Sequence, residues 1–300
     1  LNGRDFQDLL GLFPGFQRQP GGGFGSTNVN GQRATSSSFQ VDGISNNDNY
    51  SGTVAQGQEG VFVKTGGFLP VDAIQEFTVS ANPSAQYGQK AGGHVNVALK
   101  SGSNEFHGTL YEFFRNDAVD ARAFFNEADQ PQNPLRFNQF GFTIGGPIVK
   151  DKLFFFGNYE GQRVRQAESY IVFTPGLNSI LDALPDGGID ALSARILPLF
   201  PAGDDNDQAI VSIPSFSDID NVIYKMDWVV NERNTINGRY LLGNTDQTEV
   251  DSFYLRPEYA ANNDQRSQLV GLAWTSSLRP AIVNEVRFCY TRLYQAITPV

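Results

Sequence analysis

Gly21-Gly22-Gly23-Phe24-Gly25 is a run that could present backbone N–H groups to a phosphate. No strand pattern precedes it and no Lys-Ser/Thr pair follows, so it reads as a loop. Asp42 to Asp48 and Asp204-Asp205-Asn206-Asp207 offer oxygen ligands to a hard cation such as calcium. Neither reproduces the calcium-loop spacing with its terminal Glu, and both read as solvated loops. His94 and His107 have no Cys partners nearby, and the single Cys289 excludes an internal disulfide, so no structural zinc site is expected. No nucleophile stands beside a base and an orienting acid, so neither catalysis nor a bound cofactor is expected. With 22 basic residues against 32 acidic ones, the net charge of −10 argues against a nucleic acid held by phosphate contacts.

Chemistry of this kind is positioned by elements, and these are strand-rich. Aromatics make up 12% of the 300 residues, a bias toward strands. No apolar run approaches the roughly 18 residues of a membrane-spanning helix, so a chain that crosses a membrane must do so as strands. Residues 1–104 are rich in Gly, Ser, Asn and Gln, with short strand-like pieces at Phe39-Gln40-Val41, Ile74 to Val79 and His94 to Leu99. They read as a compact α+β domain, with a helical turn at Asp5 to Leu10 and a loop at Gln19 to Gly25.

Residues 105–300 change to longer segments in which apolar and polar side chains alternate. Phe140, Phe142 and Ile144 oppose Gln139, Gly141 and Thr143; Phe155, Gly157 and Tyr159 oppose Asn158, Glu160 and Gln162, with Phe154 and Phe156 spoiling the start. Val222, Tyr224, Met226 and Trp228 oppose Asn221, Lys225 and Asp227; Ile236, Tyr240 and Leu242 oppose Asn237 and Arg239. Val270, Leu272 and Trp274 oppose Gly271, Ala273 and Thr275; Val286, Phe288 and Tyr290 oppose Glu285, Arg287 and Thr291. With Thr109 to Arg115 these make seven strands, about twice the usual soluble length, which favours antiparallel transmembrane β-barrel strands over a soluble sandwich. Short links at Gly146 to Asp151, Asn231 to Asn234 and Ser277 to Ala281 alternate with long ones at Asn116 to Arg136, Gln166 to Ser217 and Glu249 to Asn263. Short turns on one rim and long loops on the other are the outer-membrane arrangement. Gln166 to Ser217, with Asp218 at its edge, carries eight acids against Arg195 alone, a net −7, and a short helix at Ile189 to Leu199. Seven strands cannot close in hydrocarbon, so the barrel is expected to continue past Val300, and Leu1 is expected to be a processed or truncated start.

Val71-Asp72-Ala73-Ile74-Gln75-Glu76-Phe77, then Asn82-Pro83-Ser84-Ala85-Gln86-Tyr87-Gly88 and Ala91-Gly92-Gly93-His94-Val95-Asn96-Val97, resemble the plug of TonB-dependent outer-membrane transporters. Val29-Asn30-Gly31-Gln32-Arg33, Phe39-Gln40-Val41-Asp42-Gly43 and Lys100-Ser101-Gly102-Ser103-Asn104-Glu105-Phe106-His107-Gly108 resemble the Oar-like branch. His94 departs from the apolar residue common at its position. The resemblance implies a plug inside a 22-stranded barrel of the bacterial outer membrane, of which this chain holds the plug and about seven strands. It also implies a regulatory-like β domain and a TonB box upstream of Leu1. An extracellular oligosaccharide, peptide or metal chelate would be imported when TonB, energised through ExbB-ExbD, pulls on the plug.

By the same resemblance, the outward plug loops meet the ligand, with Gln32, Arg33, Thr35 and Ser36 on one and Asn82, Ser84, Gln86 and Tyr87 on the other. Arg33 suits a carboxylate or phosphate, and Tyr87 a sugar or apolar ring. Glu112, Asn158, Glu160, Lys225, Asp227 and Arg239 are read as inward residues bonding to the plug and trapped water. Tyr111, Phe113, Phe155, Tyr159, Trp228, Tyr240 and Trp274 are read as the lipid-facing band. Two competing readings are an outer-membrane adhesion or surface-structural barrel without transport and a soluble polysaccharide-binding β domain.

Overall fold

A computed structural model describes residues 10–18, 27–32, 36–47, 69–82, 92–121, 132, 134–173, 190–201, 203–204, 208–249 and 261–299. Six short strands come first: β1 (Phe16–Arg18), β2 (Thr27–Val29), β3 (Ser38–Val41), β4 (Ile44–Ser45), β5 (Ile74–Ser80) and β6 (His94–Leu99). β1 and β2 pair by themselves, and the other four form a sheet in the order β4-β3-β6-β5. β3 and β6 run parallel, and the other neighbours run antiparallel. β3 turns into β4 through Asp42-Gly43, both with positive φ (48° and 74°), as an Asp-Gly hairpin requires.

Seven long strands follow: β7 (His107–Asn116), β8 (Leu135–Val149), β9 (Leu153–Phe173), β10 (Gln208–Asn231), β11 (Asn234–Glu249), β12 (Ala261–Arg279) and β13 (Ile282–Pro299). They form one antiparallel sheet in chain order. Its short turns fall at Lys150–Lys152, Glu232-Arg233 and Pro280-Ala281, all on one rim. The first is helped by Asp151, which takes a left-handed φ of 61°. The strands outrun the expected length: β9 and β10 stay paired from Leu153↔Trp228 to Phe173↔Gln208. Much of Gln166 to Ser217 is therefore ladder, and Glu168 and Asp218 sit on strands. The segment between the two strands is 174–207, with six acids against Arg195, a net −5. Within it α1 (Ala191–Ile196) and a 3-10 turn (Leu197–Leu199) occupy the segment read as a helix.

Alternation sorts the wall into two faces. Phe142, Trp228, Leu272 and Trp274 are between 44% and 49% exposed, whereas Gln139, Asn158, Glu160, Asn221 and Arg239 are buried against the small sheet side. β7 is a correction. Tyr111 donates its hydroxyl to Glu160 on the inner face (2.8 Å), so Tyr111 and Phe113 point inward and Glu112 shares the outer face with exposed Leu110 and Phe114. The adjacent Phe113-Phe114 left the phase of this strand ambiguous, and a one-residue slip exchanges the faces.

The spoiled alternation at Phe154 to Phe156 has a packing cause. Phe156, Ile223, Leu241 and Leu269 turn inward and complete a core with Phe39, Val41, Ile44, Val95, Val97 and Leu99 of the small sheet. Each contributes roughly 1.5–3 kcal/mol by burial. The asparagines and glutamines around them keep the rest of that face polar. His94 is 3% exposed within β6, paired with Ser38 on one side and Ser80 on the other. Residues 1–9 and 19–26 lie outside the described residues, and with them most of the predicted helical turn and the glycine loop.

Candidate functional site

Lys225 on β10 and Arg239 on β11 are direct cross-strand partners on the inner face. Two like charges so placed repel, and in this wall they stand almost without water. The Asp42 turn resolves the conflict. Asp42 Oδ2 lies 3.2 Å from Lys225 Nζ and 3.2 Å from an Arg239 Nη1, with side-chain exposures of 11%, 10% and 3% respectively. Arg239 Nη1 also donates to the Asp42 carbonyl (2.9 Å), and Lys225 Nζ to the Leu99 carbonyl (3.2 Å). Arg287 on β13 donates to the Gly43 carbonyl at 2.6 Å.

The hairpin is shaped for this grip. Asp42 Oδ1 accepts from Leu99 N (2.9 Å), Gly43 N donates to Asn96 Oδ1 (2.8 Å), and Asp42 N donates to the Val97 carbonyl (2.8 Å). A Cβ at Gly43 would overlap the Arg287 guanidinium, and one at Gly271 would overlap Ile44. Both glycines let the two sheets approach. The result is one tight turn held by three wall cations from three strands, two on its carboxylate and one on the Gly43 carbonyl. Each member of such a cluster depends on the others, because removing one partner leaves uncompensated buried charge.

Lys225 and Arg239 thus bond as the inward pattern suggested. Asp42 was read as a solvated loop residue or a cation ligand; its carboxylate instead meets protein cations. The signal that could have singled it out is Asp-Gly between Phe39-Gln40-Val41 and Ile44, the strongest short hairpin pattern.

Of the ligand-contact candidates, Gln32 is exposed in the turn after β2, its N–H bonded to the Val29 carbonyl at 2.9 Å. Ser36 is half-buried, and its carbonyl accepts from Gly92 N at 2.8 Å. Asn82 is exposed just past β5. Arg33, Thr35, Ser84, Gln86 and Tyr87 lie outside the described residues. Register brings the two segments to one end of the sheet: Ser38 opens β3, Ser80 closes β5, and both pair with His94 between them. The entry to β3 and the exit from β5 are therefore about 10 Å apart. The Asp42 turn occupies the other end of β3. Burial lowers the His94 imidazole pKa below its ordinary value.

Residues 1–95 match the TonB-dependent receptor plug domain, and residues 98–300 match an outer membrane beta barrel domain. Among curated proteins, the chain is 32% identical over 169 residues to the TonB-dependent transporter Oar of Myxococcus xanthus, covering 52% of this chain and 14% of that protein. It is 34% identical over 96 residues to the probable TonB-dependent siderophore receptor PirA of Acinetobacter baumannii, covering 31% of this chain and 11% of that one. Among solved structures, the fold is similar to the outer membrane transporter YddB of Escherichia coli (TM-score 0.62, 12% identity, 97% of this chain and 37% of that one). It is likewise similar to the A. baumannii siderophore receptor PirA (TM-score 0.51, 17% identity, 97% of this chain and 42% of that one). The chain thus spans well under half the length of the proteins it matches. A plug sheet locked to an inward polar wall, an outward apolar face and two consecutive domain matches agree: the chain belongs to the TonB-dependent receptors of the bacterial outer membrane.

Proposed function

We propose that this chain is the plug, over 1–104, and the first seven strands, over 105–300, of a 22-stranded receptor that binds an extracellular nutrient and imports it. TonB, energised through ExbB-ExbD, pulls the plug, and the Asp42 turn leaves its three cations. The observation that carries this reading is that turn. Beside its apolar contacts with Phe156, Ile223, Leu241 and Leu269, the plug meets the wall through a polar turn, whose buried Asp42 carboxylate faces Lys225 and Arg239 and whose Gly43 carbonyl accepts from Arg287. A polar contact of this kind loses less on rehydration than an apolar one. The ligand enters above the plug and meets Gln32, Arg33, Thr35 and Ser36 on one loop and Asn82, Ser84, Gln86 and Tyr87 on the other. The common sheet end from which these loops spring supports a joint site. The relatives named as siderophore receptors favour a metal chelate over an oligosaccharide or peptide, and the fixed donors of Arg33 suit the anionic groups of a chelate.

The test is binding of ferric siderophores to the full-length receptor and its Arg33→Ala and Tyr87→Ala variants, with uptake measured in cells with and without TonB. Each substitution should weaken binding about tenfold, or about 1.4 kcal/mol, with unchanged barrel stability. Uptake should vanish without TonB. Unaltered affinity in both variants removes the loops from the site, and TonB-independent uptake removes the energised mechanism.

A further inference from the structure

The outer face of the wall changes character toward the long-loop rim. On β12, Val270 is followed by Gln268 and Arg266, and on β13, Tyr290 is followed by Arg292 and Tyr294. These four side chains line one open pocket of about 690 Å³ together with residues of β9, β10 and β11. Two arginines of this region are already neutralised: Arg163 pairs with Asp220 at 2.8 Å, and Arg165 pairs with Asp218. Arg266 and Arg292 are not. Arg266 Nε donates to Asn244 Oδ1 at 2.7 Å, but among the described residues no carboxylate pairs with either guanidinium. The register sets Arg266 opposite Tyr294 and Gln268 opposite Arg292, so the two arginines are diagonal neighbours, roughly 7 Å apart. Their mutual repulsion is relieved by an anion shared between them.

Direction and height select the anion. Both arginines point away from the lumen, so an imported ligand does not pass them. Arg292 stands between Tyr290 and Tyr294 on the outward face of β13, beyond the apolar run Val286, Phe288 and Tyr290, and Arg266 stands one residue pair higher. That is where hydrocarbon gives way to lipid headgroups. Asp246 and Asp264, directly opposite each other one pair beyond Arg266, repel an anion placed farther out. The site is thus confined to the arginine level. We propose that Arg266 and Arg292, with Tyr294 and Gln268 as hydrogen-bonding neighbours, bind the phosphate of a phosphorylated glycolipid of the outer leaflet. Guanidinium groups suit this task because their planar donors match phosphate oxygens in pairs.

The experiment uses the full-length receptor in detergent micelles and three probes: bis-phosphorylated lipid A, the same lipid stripped of phosphate, and inorganic phosphate. Wild-type protein should bind the phosphorylated lipid, and Arg266→Gln/Arg292→Gln should bind it about tenfold or more weakly. The stripped lipid should bind both proteins equally weakly, and millimolar inorganic phosphate should not compete. Arg163→Gln/Asp220→Asn, which removes both members of a compensated pair in the same pocket, should bind like wild type. A heat-dependent gel shift reports the folded barrel; if the double variant fails it, Arg292→Lys, which keeps the charge but loses paired donation, should give an intermediate loss. Wild-type affinity in the glutamine or lysine variants overturns the site. Equal binding of the stripped lipid, or displacement by free phosphate, overturns the lipid phosphate as its occupant.

Discussion

Asp42→Asn isolates the charge of the plug lock. Asparagine tolerates the left-handed φ of 48° at this position and keeps an oxygen for the Leu99 N–H, so turn and hydrogen bond survive. What disappears is the counter-charge of Lys225 and Arg239, which remain paired opposite each other at 10% and 3% side-chain exposure. Removing one partner of a buried ion pair leaves uncompensated charge and costs about 3–5 kcal/mol. Lys225→Met leaves Asp42 on Arg239 and should cost about 1–2 kcal/mol. In Asp42→Asn/Lys225→Met only one cation is orphaned, so the double variant should cost about 1.5–3 kcal/mol less than the sum of the singles. The assay is urea unfolding of a spin-labelled plug inside the folded full-length barrel, with barrel integrity followed by heat-dependent gel migration. Additive effects, or an Asp42→Asn plug as stable as wild type, would refute the argument that this carboxylate neutralises the wall.

Phe142→Arg, at a side chain 44% exposed on the outer face, should cost up to about 2–4 kcal/mol of barrel stability in lipid, whereas Thr143→Arg on the inward face should not show this membrane-depth penalty; refolding titrations into vesicles compare them. Burial depresses the pKa of His94 below the ordinary 6.5, so the unfolded plug binds the proton first. Plug stability is then full above about pH 6.5 and declines as pH falls below it, and His94→Gln should flatten that decline; an unchanged slope assigns the acid sensitivity to other groups. Protease added to intact cells should cut within 174–207, and protection until the outer membrane is broken would reverse the orientation of the rims.

Much of the wall was legible because period-two alternation is strict wherever one face meets hydrocarbon and the other meets water or plug. The seven strands and the positions of their short turns follow from that pattern. Phase failed on β7, where Phe113-Phe114 fits either face, and length failed on β9 and β10. Outside the bilayer the strands need no apolar face, so Gln166 to Phe173 and Gln208 to Ser217 carry no alternation to read. The plug strands β3, β5 and β6 were visible as apolar pieces. The lock was half visible: Lys225 and Arg239 are inward by parity, but their partner lies some 180 residues away, and no local pattern links Asp42 to them.

The outward face carries one more quantity, the slant of the strands. Apolar residues give way to polar ones between Phe140 and Asn138 on β8, between Val222 and Asp220 on β10, between Leu242 and Asn244 on β11, and between Tyr290 and Arg292 on β13. Through the register, the boundary descends two residue pairs, or four residues, over the five strand steps from β8 to β13. At about 3.4 Å per residue and roughly 4.8 Å between strands, a level bilayer edge implies a tilt of about 30°, close to that of outer-membrane strands. The same ladder fixes the depth of the lock. Lys225 and Arg239 lie between the levels of Met226 and Tyr224 on β10 and of Gly238 and Tyr240 on β11, inside the apolar band. A slip of one residue would carry both cations into hydrocarbon at about 2–4 kcal/mol each and strip Asp42 of its partners. The contact that holds the plug therefore also pins the register of the two strands that hold it.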